Sequence, residues 1–439
     1  MVDSGLDAIV LATDPLSRVR IAGLTACERA VRVARRVGAN RVLVIDTDAA
    51  RTGLAAWRGA RTGRLLVIRA DQLVHTPLVE PLVAAPRDAI AVVPDAPAVN
   101  DLTAGEYAGA FIVAGTAARE AIAALARGED DAAVAATISD PLRVPHGVVA
   151  RAPIATREQR RAAHALLYRI LIKRQDNVIT RYLYRPVSMP LTRLLVKTPI
   201  TPNQISFVVA VMVAFGCWVT AHAELELALL GTVLVLVASY LDCCDGEVAR
   251  VKLLSSRLGA WIDTIVDELS SVGYMVALGW HCHLHFGPRY LGDLGFDPWL
   301  VAIAVSVVTY LWSIYCIYYN IIIAVGSANS QDYVGRFEVV PGAQPTSVRL
   351  APAAAKAIVT KQPLPRPLEL VVTYLPYLVR RDFISWAAVA FAALHVTQIG
   401  FGALVLGGVV SAAILTGDHV RLRSLRRSIE RGGMRLEAP

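Results

Sequence analysis

From residue 203 onward the chain carries six apolar runs, at about 205–221, 225–249, 258–281, 298–325, 383–396 and 399–416. A bilayer core roughly 30 Å thick takes about 20 helical residues to cross, with latitude for tilt, so these runs predict six transmembrane helices. Composition agrees: of 439 residues 55% are hydrophobic and 18% charged, against roughly 25% charged in soluble chains. An ordinary soluble enzyme is excluded. Most of the charge lies in residues 1–200, so a soluble part precedes a membrane part.

Lys and Arg in the connections set the expected orientation. Arg250, Lys252 and Arg257, the span Arg336 to Arg381, and Arg421 to Arg435 all fall on one side, while the other has His222–Glu224, a 282–297 turn with Arg289, and Thr397–Gln398. The positive-inside rule then puts both termini in the cytoplasm of a multi-pass protein of the inner (plasma) membrane. The first residues have no basic n-region, and Ala8–Ala12 is too short for a signal-peptide core. A net charge of +8 is spread around apolar segments, which favours anionic membrane lipids and phosphates and argues against nucleic acid. The six cysteines form no CxxC framework and read as small hydrophobes.

Residues 1–150 alternate β-rich runs (Ala8–Leu11, Arg41–Ile45, Leu65–Ile68, Ile90–Val93, Phe111–Val113) with helical stretches such as Thr25–Val37 and Ala117–Ala126. This predicts an α/β domain with a mostly parallel sheet. Val10–Arg18, Arg69-Ala-Asp71 and Ala108–Val113 resemble a sugar-nucleotidyltransferase fold. In that family a Gly-rich loop closes backbone N–H groups on a triphosphate, whereas Ala12–Ile21 holds neither glycine nor lysine. The domain is therefore expected to be degenerate. Residues 151–202 mix Arg161, Arg169, Lys173, Arg174, Arg181, Arg185, Arg193 and Lys197 with Leu, Ile and Tyr, as amphipathic juxtamembrane helices would. The membrane domain is expected over 203–425, with a Pro-rich cytoplasmic connection at 326–382, and a basic cytoplasmic tail over 426–439.

The second run ends in Asp242-Cys-Cys-Asp245-Gly246-Glu-Val-Ala249-Arg250, and the third begins Gly259-Ala-Trp-Ile-Asp263-Thr-Ile-Val-Asp267. Carboxylates at the edge of a bilayer are expensive and need partners in a wet cavity. Asp242 and Asp245 stand three apart and Gly259, Asp263 and Asp267 four apart, so each set shares one helical face and the two faces can oppose. Oxygen donors without His or Cys suit Mg²⁺ or Mn²⁺, and a pair of such ions suits in-line displacement at phosphorus. Gly246 and Gly259 allow close approach, and Arg250 can grip a phosphate.

Asp-x2-Asp-Gly-x2-Ala-Arg-x8-Gly-x3-Asp-x3-Asp, from Asp242 to Asp267, resembles the signature of the CDP-alcohol phosphotransferases (CDP-alcohol phosphatidyltransferases). The α/β domain and Asp176-Asn-x3-Arg181-x3-Arg185-x2-Ser188 make the chain most similar to the subgroup with a fused inositol-phosphate cytidylyltransferase domain, which includes the di-myo-inositol-phosphate-phosphate synthases. The resemblance implies a six-helix membrane enzyme, often a homodimer, with a CDP-alcohol donor and a hydroxyl acceptor. It implies Asp242, Asp245, Asp263 and Asp267 as metal ligands for two ions, Asp267 as general base, and Asp242, Gly246, Ala249, Arg250 and Gly259 at the nucleotide. CDP-inositol or CDP-diacylglycerol are the expected donors, and inositol phosphate or another polyol or lipid alcohol the acceptor. Arg181 and Arg185 read as acceptor-phosphate contacts or as lipid anchors. An ion-coupled transporter and a non-catalytic scaffold are the rival readings. His281-Cys-His-Leu-His285 reads as an interfacial cap rather than a transition-metal site, and Tyr310–Tyr319 as helix-packing surface.

Overall fold

The protein is described by a computed structural model covering residues 5–95, 102–172, 178–292, 294–326, 332–342, 344, 347–353 and 381–437. Two compact units divide the chain. One comprises Met1–Asp176, Met189–Thr201 and Gly246–Leu254, and the other Asn177–Ser188, Pro202–Asp245 and Ser255–Pro439.

In the first unit a six-stranded sheet is built from β1 (Leu6–Leu11), β2 (Ala39–Ile45), β3 (Leu65–Arg69), β4 (Ala89–Val92), β5 (Tyr107–Val113) and β6 (Leu142–Pro145), in the order β2-β1-β3-β5-β4-β6. Ala8, Ile9 and Val10, and Leu65 to Ile68, are fully buried, because helices cover both faces and a continuous apolar run fits only a strand buried on both sides. The sheet is mostly parallel, as the alternation predicts: β1 runs parallel to β2 and β3, and β4 to β6, and five of the six strands point one way, while β5 alone is antiparallel to both of its neighbours. Helix α1 (Ala26–Arg36) starts at a capping box, Thr25 accepting from the Glu28 N–H at 3.0 Å and Glu28 from the Thr25 N–H at 2.8 Å. Helix α2 (Gly115–Arg127) buries Ile122 and Leu125. The unit continues past residue 150, where Arg151–Pro153 pairs antiparallel with Gln72–Val74 and α3 (Arg157–Tyr168) buries Leu166 and Leu167.

The loop after β1, where the nucleotidyltransferase resemblance would place a phosphate loop, closes on its own side chains. Asp14 accepts from the Leu16 N–H at 2.7 Å, and Ser17 Oγ donates to the Ala12 carbonyl at 3.0 Å. Gly23 follows at φ +80°, and a Cβ there would lie 2.0 Å from the Val196 carbonyl oxygen.

Two buried titratable groups in this unit oppose each other in pH dependence. Burial raises the Asp131 carboxyl to about 7, against the pull of Arg69 and of Tyr107, whose hydroxyl donates to it at 2.8 Å. Burial lowers His75 to about 4, with Arg29 and Arg36 adding to the shift. Between pH 4 and 6.5 the folded state holds more protons than the unfolded chain at Asp131 and fewer at His75, so Asp131 makes stability fall with rising pH while His75 makes it rise. In full-length protein, Asp131→Asn should therefore make hydrogen-exchange protection of β1 and β3, corrected for intrinsic rates, climb from pH 4.5 to 6.5. His75→Gln should make it fall over the same range and on to pH 7. Equal slopes in the two variants would contradict these shifts.

The second unit begins with Asn177–Ser188, which includes the first residues of α4 (Arg185–Leu195), and contains α5 (Pro202–Thr220), most of α6 (Leu225–Val251), α7 (Arg257–Phe286), α8 (Pro298–Asn320), α9 (Arg381–Ala393) and α10 (Thr397–Arg431). Among the described residues four helices are long and apolar enough to cross a membrane: Pro202–Thr220, Leu225–Val251, Pro298–Val325 and Thr397–Arg431. Helix α7 has 30 residues, about 45 Å, but its carboxylates and three histidines lower its hydropathy; α9 has 13 residues, about 20 Å. Phe207 (70% exposed), Val211, Phe215 and Trp218 (61%) form one outward stripe on α5, an apolar surface suited to acyl chains.

The 326–382 connection contains a hairpin of Phe337–Pro341 and Ser347–Pro352, to which Arg435–Leu436 adds in parallel. The expected basic tail is thus helix as far as Arg431 and then an edge strand. Residues 327–331, 343, 345–346 and 354–380 of that connection, and the sequence landmarks Lys173, Arg174, Asp176 and Asn177, lie outside the described residues.

Candidate active site

Helix α6 carries Asp242 and Asp245 one turn apart, and α7 carries Asp263. One carboxylate oxygen from each of the three lies within 4.8 Å of those from the other two. Asp245 is 4% exposed, and Ser206 Oγ on α5 donates to its Oδ2 at 2.6 Å. The Ser206 Oγ also lies 3.2 Å from the Pro202 carbonyl, but one hydroxyl proton serves one acceptor at a time and the charged one binds more strongly. Asp267 follows Asp263 by one turn on α7, half-buried, with Ser271 Oγ donating to its backbone carbonyl at 3.0 Å.

Three carboxylates at this separation repel by about 3 kcal/mol per ionised pair at an effective dielectric of about 20. A cation relieves that repulsion, and an all-oxygen donor set fits a hard divalent ion such as Mg²⁺ or Mn²⁺.

Gly246, Ala249 and Arg250 continue down α6. A Cβ on Gly246 would stand 3.4 Å from an Arg250 guanidinium nitrogen, so the glycine keeps that guanidinium close to the backbone. Gly259 donates its N–H to the Ser256 hydroxyl at 2.9 Å, the N-cap of α7, and a Cβ there would press on that hydroxyl at 3.0 Å. Arg185, at the start of α4, is buried, whereas Arg181 in the preceding turn is exposed.

Several side chains that the sequence did not single out support this region. Glu247 is fully buried and accepts from Thr192 Oγ1 at 2.5 Å. Glu268, beside Asp267, accepts from Tyr310 at 2.7 Å and Tyr318 at 3.1 Å. Two tyrosines eight apart on one face of α8, opposite a single acid, were the available signal. The remaining histidine cluster is an end cap. His281 Nδ1 meets the His222 carbonyl at 2.6 Å, His285 Nδ1 the Ala223 carbonyl at 2.8 Å, and His283 lies 2.6 Å from Asp297.

Residues 199–394 match the family model for CDP-alcohol phosphatidyltransferase. The convergent aspartates fall inside the matched residues. Similar proteins include the bifunctional IPC transferase and DIPP synthase of Aquifex aeolicus, 32% identical over 127 residues, 29% of this chain and 27% of that protein. The Thermococcus kodakarensis protein of the same name is 32% identical over 128 residues, 29% of this chain and 28% of its own length. The archaetidylinositol phosphate synthase of Pyrococcus horikoshii is 32% identical over 102 residues, 21% of this chain and 50% of that protein. The similarity to the two bifunctional relatives thus spans less than a third of their length.

Proposed function

We propose that this chain is a membrane enzyme, with six transmembrane helices and cytoplasmic termini, that transfers a substituted phosphate from a CDP-alcohol to a hydroxyl acceptor and releases CMP. The observation that carries this reading is the meeting of Asp242, Asp245 and Asp263 within 4.8 Å, at the motif spacing, inside a domain matched to that family. The third and fifth of the six spans are α7 and α9.

In this reading Asp242, Asp245 and Asp263 hold a divalent cation, and Asp267 completes the site for a second. Bound there, the ions supply charge neutralisation at the donor pyrophosphate and at the departing phosphate of CMP. Asp242, Gly246, Ala249 and Gly259 form the surface against the cytidine diphosphate, and Arg250 pairs with its phosphate oxygens. Asp267 takes the proton as the acceptor oxygen bonds to the β-phosphorus and the bond from that phosphorus to the bridging oxygen breaks. The products are CMP and a phosphodiester. Arg181 and Arg185 serve an acceptor that itself carries phosphate. The relatives' names favour an inositol phosphate on one side of the reaction, with CDP-inositol as donor; CDP-diacylglycerol with a polyol phosphate is the second pairing.

The test is CMP release by purified protein in nanodiscs with Mg²⁺, crossing CDP-inositol, CDP-diacylglycerol, CDP-glycerol and CDP-ethanolamine with inositol phosphate, inositol, glycerol phosphate and lipid alcohols. Acceptor-dependent CMP from one pair is expected. Silence across the matrix would favour a transporter or scaffold role for the carboxylates.

A further inference from the structure

The connector between the two motif helices is held by the α/β unit. Helix α6 ends in a Schellman arrangement, the Leu254 N–H reaching the Ala249 carbonyl at 2.8 Å and the Leu253 N–H the Arg250 carbonyl at 3.3 Å. The residue in the left-handed position is Leu253, at φ +56°, where glycine is usual and a leucine costs about 1 kcal/mol or more. It packs, partly buried, against the apolar core of the α/β unit, a cluster that includes Ala30, Val33, Val74 and Leu78, so burial of an apolar group offsets the strain.

Two arginines of α1 grip the same connector. Arg29 is fully buried, donating from one guanidinium nitrogen to the Val251 carbonyl at 2.9 Å and from the other to the Ile21 carbonyl at 3.3 Å. Arg32 donates to the Lys252 carbonyl at 2.7 Å. Lys252 Nζ in turn donates to the Thr198 and Ile200 carbonyls at 2.7 and 2.9 Å, fixing the chain just before α5. Burial lowers the Arg29 pKa to about 10, so it is still a cation at neutral pH, and it sits against carbonyls at the negative end of α6. Burying a charge against carbonyls alone is a poor way to gain stability, and a strained leucine nearby is another departure from the cheapest solution. Both devices act on one short segment, the connector of the Asp242–Asp267 motif.

We infer that α1 is a positioning clamp: Arg29, Arg32 and the docked Leu253 fix the connector and thereby set the register of Asp242 and Asp245 relative to Asp263. This assigns the α/β unit a role in phosphoryl transfer that needs no nucleotide chemistry of its own. The inference rests on the proposed reading of the motif as the transfer site, so the test includes a readout that does not need activity.

Full-length protein is compared with Arg32→Ala, Arg32→Lys and Leu253→Asn, the last because asparagine tolerates the left-handed backbone but removes the apolar plug. Arg29→Ala is the severe variant. Hydrogen exchange over 240–267 decides. The clamp predicts that Arg32→Ala and Leu253→Asn loosen the turns around Asp242, Asp245 and Asp263 while protection of β1 and β3 is unchanged, and that Arg32→Lys restores most of it. Mn²⁺ binding should weaken about 10-fold or more, and where CMP release is measurable kcat should fall about 10-fold with the donor KM little changed. Loosening confined to 251–256, with Mn²⁺ affinity unaltered, would overturn the clamp. Wild-type protein that releases no CMP while the exchange pattern spreads as predicted would defeat the proposed reaction and leave the clamp standing.

Discussion

In metal-free buffer, Asp263→Asn protein should melt at a higher temperature than wild type, gain nothing from added Mg²⁺, and release CMP at least 10³-fold more slowly. The reasoning begins with repulsion. The Asp263 carboxylate lies within 4.8 Å of those of Asp242 and Asp245, and removing one charge relieves two unfavourable pairs of about 3 kcal/mol each at an effective dielectric of about 20. A bound cation relieves that repulsion in the wild-type site, raising the melting temperature with metal concentration as mass action requires. The variant has lost a ligand, so its metal curve should be flat. Asp267→Asn separates the roles. It should keep most of the Mg²⁺ response while CMP release falls 10²–10⁴-fold, the range for loss of a positioned base. A wild type indifferent to Mg²⁺, or an Asp263→Asn variant that is less stable and still responsive, would show that the three carboxylates do not form the metal site.

What the sequence made legible follows from the range of the interactions involved. The motif aspartates were readable because helical periodicity alone puts Asp242 with Asp245 and Asp263 with Asp267, and only their meeting needed tertiary structure. Strands β1 and β3 were readable because burial on both faces leaves a continuous apolar run. Strand β6 was not, since half of its residues face outward and it ends in Pro145 at the sheet edge. Helix α10 reads as apolar only to about residue 416, yet it continues because Leu422 and Ile429, two turns apart, are both buried beneath the basic residues. Ser206 and Arg29 were invisible for another reason. Ser206 looks like an ordinary small residue in an apolar helix until Asp245 is placed beside it, and Arg29 reaches a backbone carbonyl 222 positions away, which no side-chain pattern encodes. A leucine in the left-handed C-terminal position carries no local signal either, because the expected glycine is absent.

Gly231→Ala should destabilise the membrane unit by about 2–4 kcal/mol, whereas Gly407→Ala should be neutral or slightly stabilising. A Cβ at Gly231 would stand 2.3 Å from Thr220 Oγ1, 2.4 Å from the Thr220 nitrogen and 2.5 Å from the Gly216 carbonyl oxygen. Two of those three are backbone atoms, which cannot turn aside as a side chain can, so α5 and α6 must separate. Helices in lipid are held by close van der Waals contact, since lipid tails are as apolar as leucine, and a glycine pair is what lets two backbones approach. Gly216 is the matching half, its own Cβ position lying 3.0 Å from the Gly231 carbonyl. The effect should reach the site as well. Asp242 and Asp245 sit about three to four turns further along α6, and Ser206, the partner of Asp245, is on α5, so parting the two helices at Gly231 strains that hydrogen bond and should weaken Mn²⁺ binding along with stability. Gly407 meets no atom within 4 Å, so alanine there adds helix propensity without a clash. Thermal unfolding in detergent and Mn²⁺ titration of both variants decide the matter: equal melting temperatures would mean that α5 and α6 do not pack through Gly231, and a destabilised Gly231→Ala with unchanged Mn²⁺ affinity would mean that the carboxylates are registered independently of that contact.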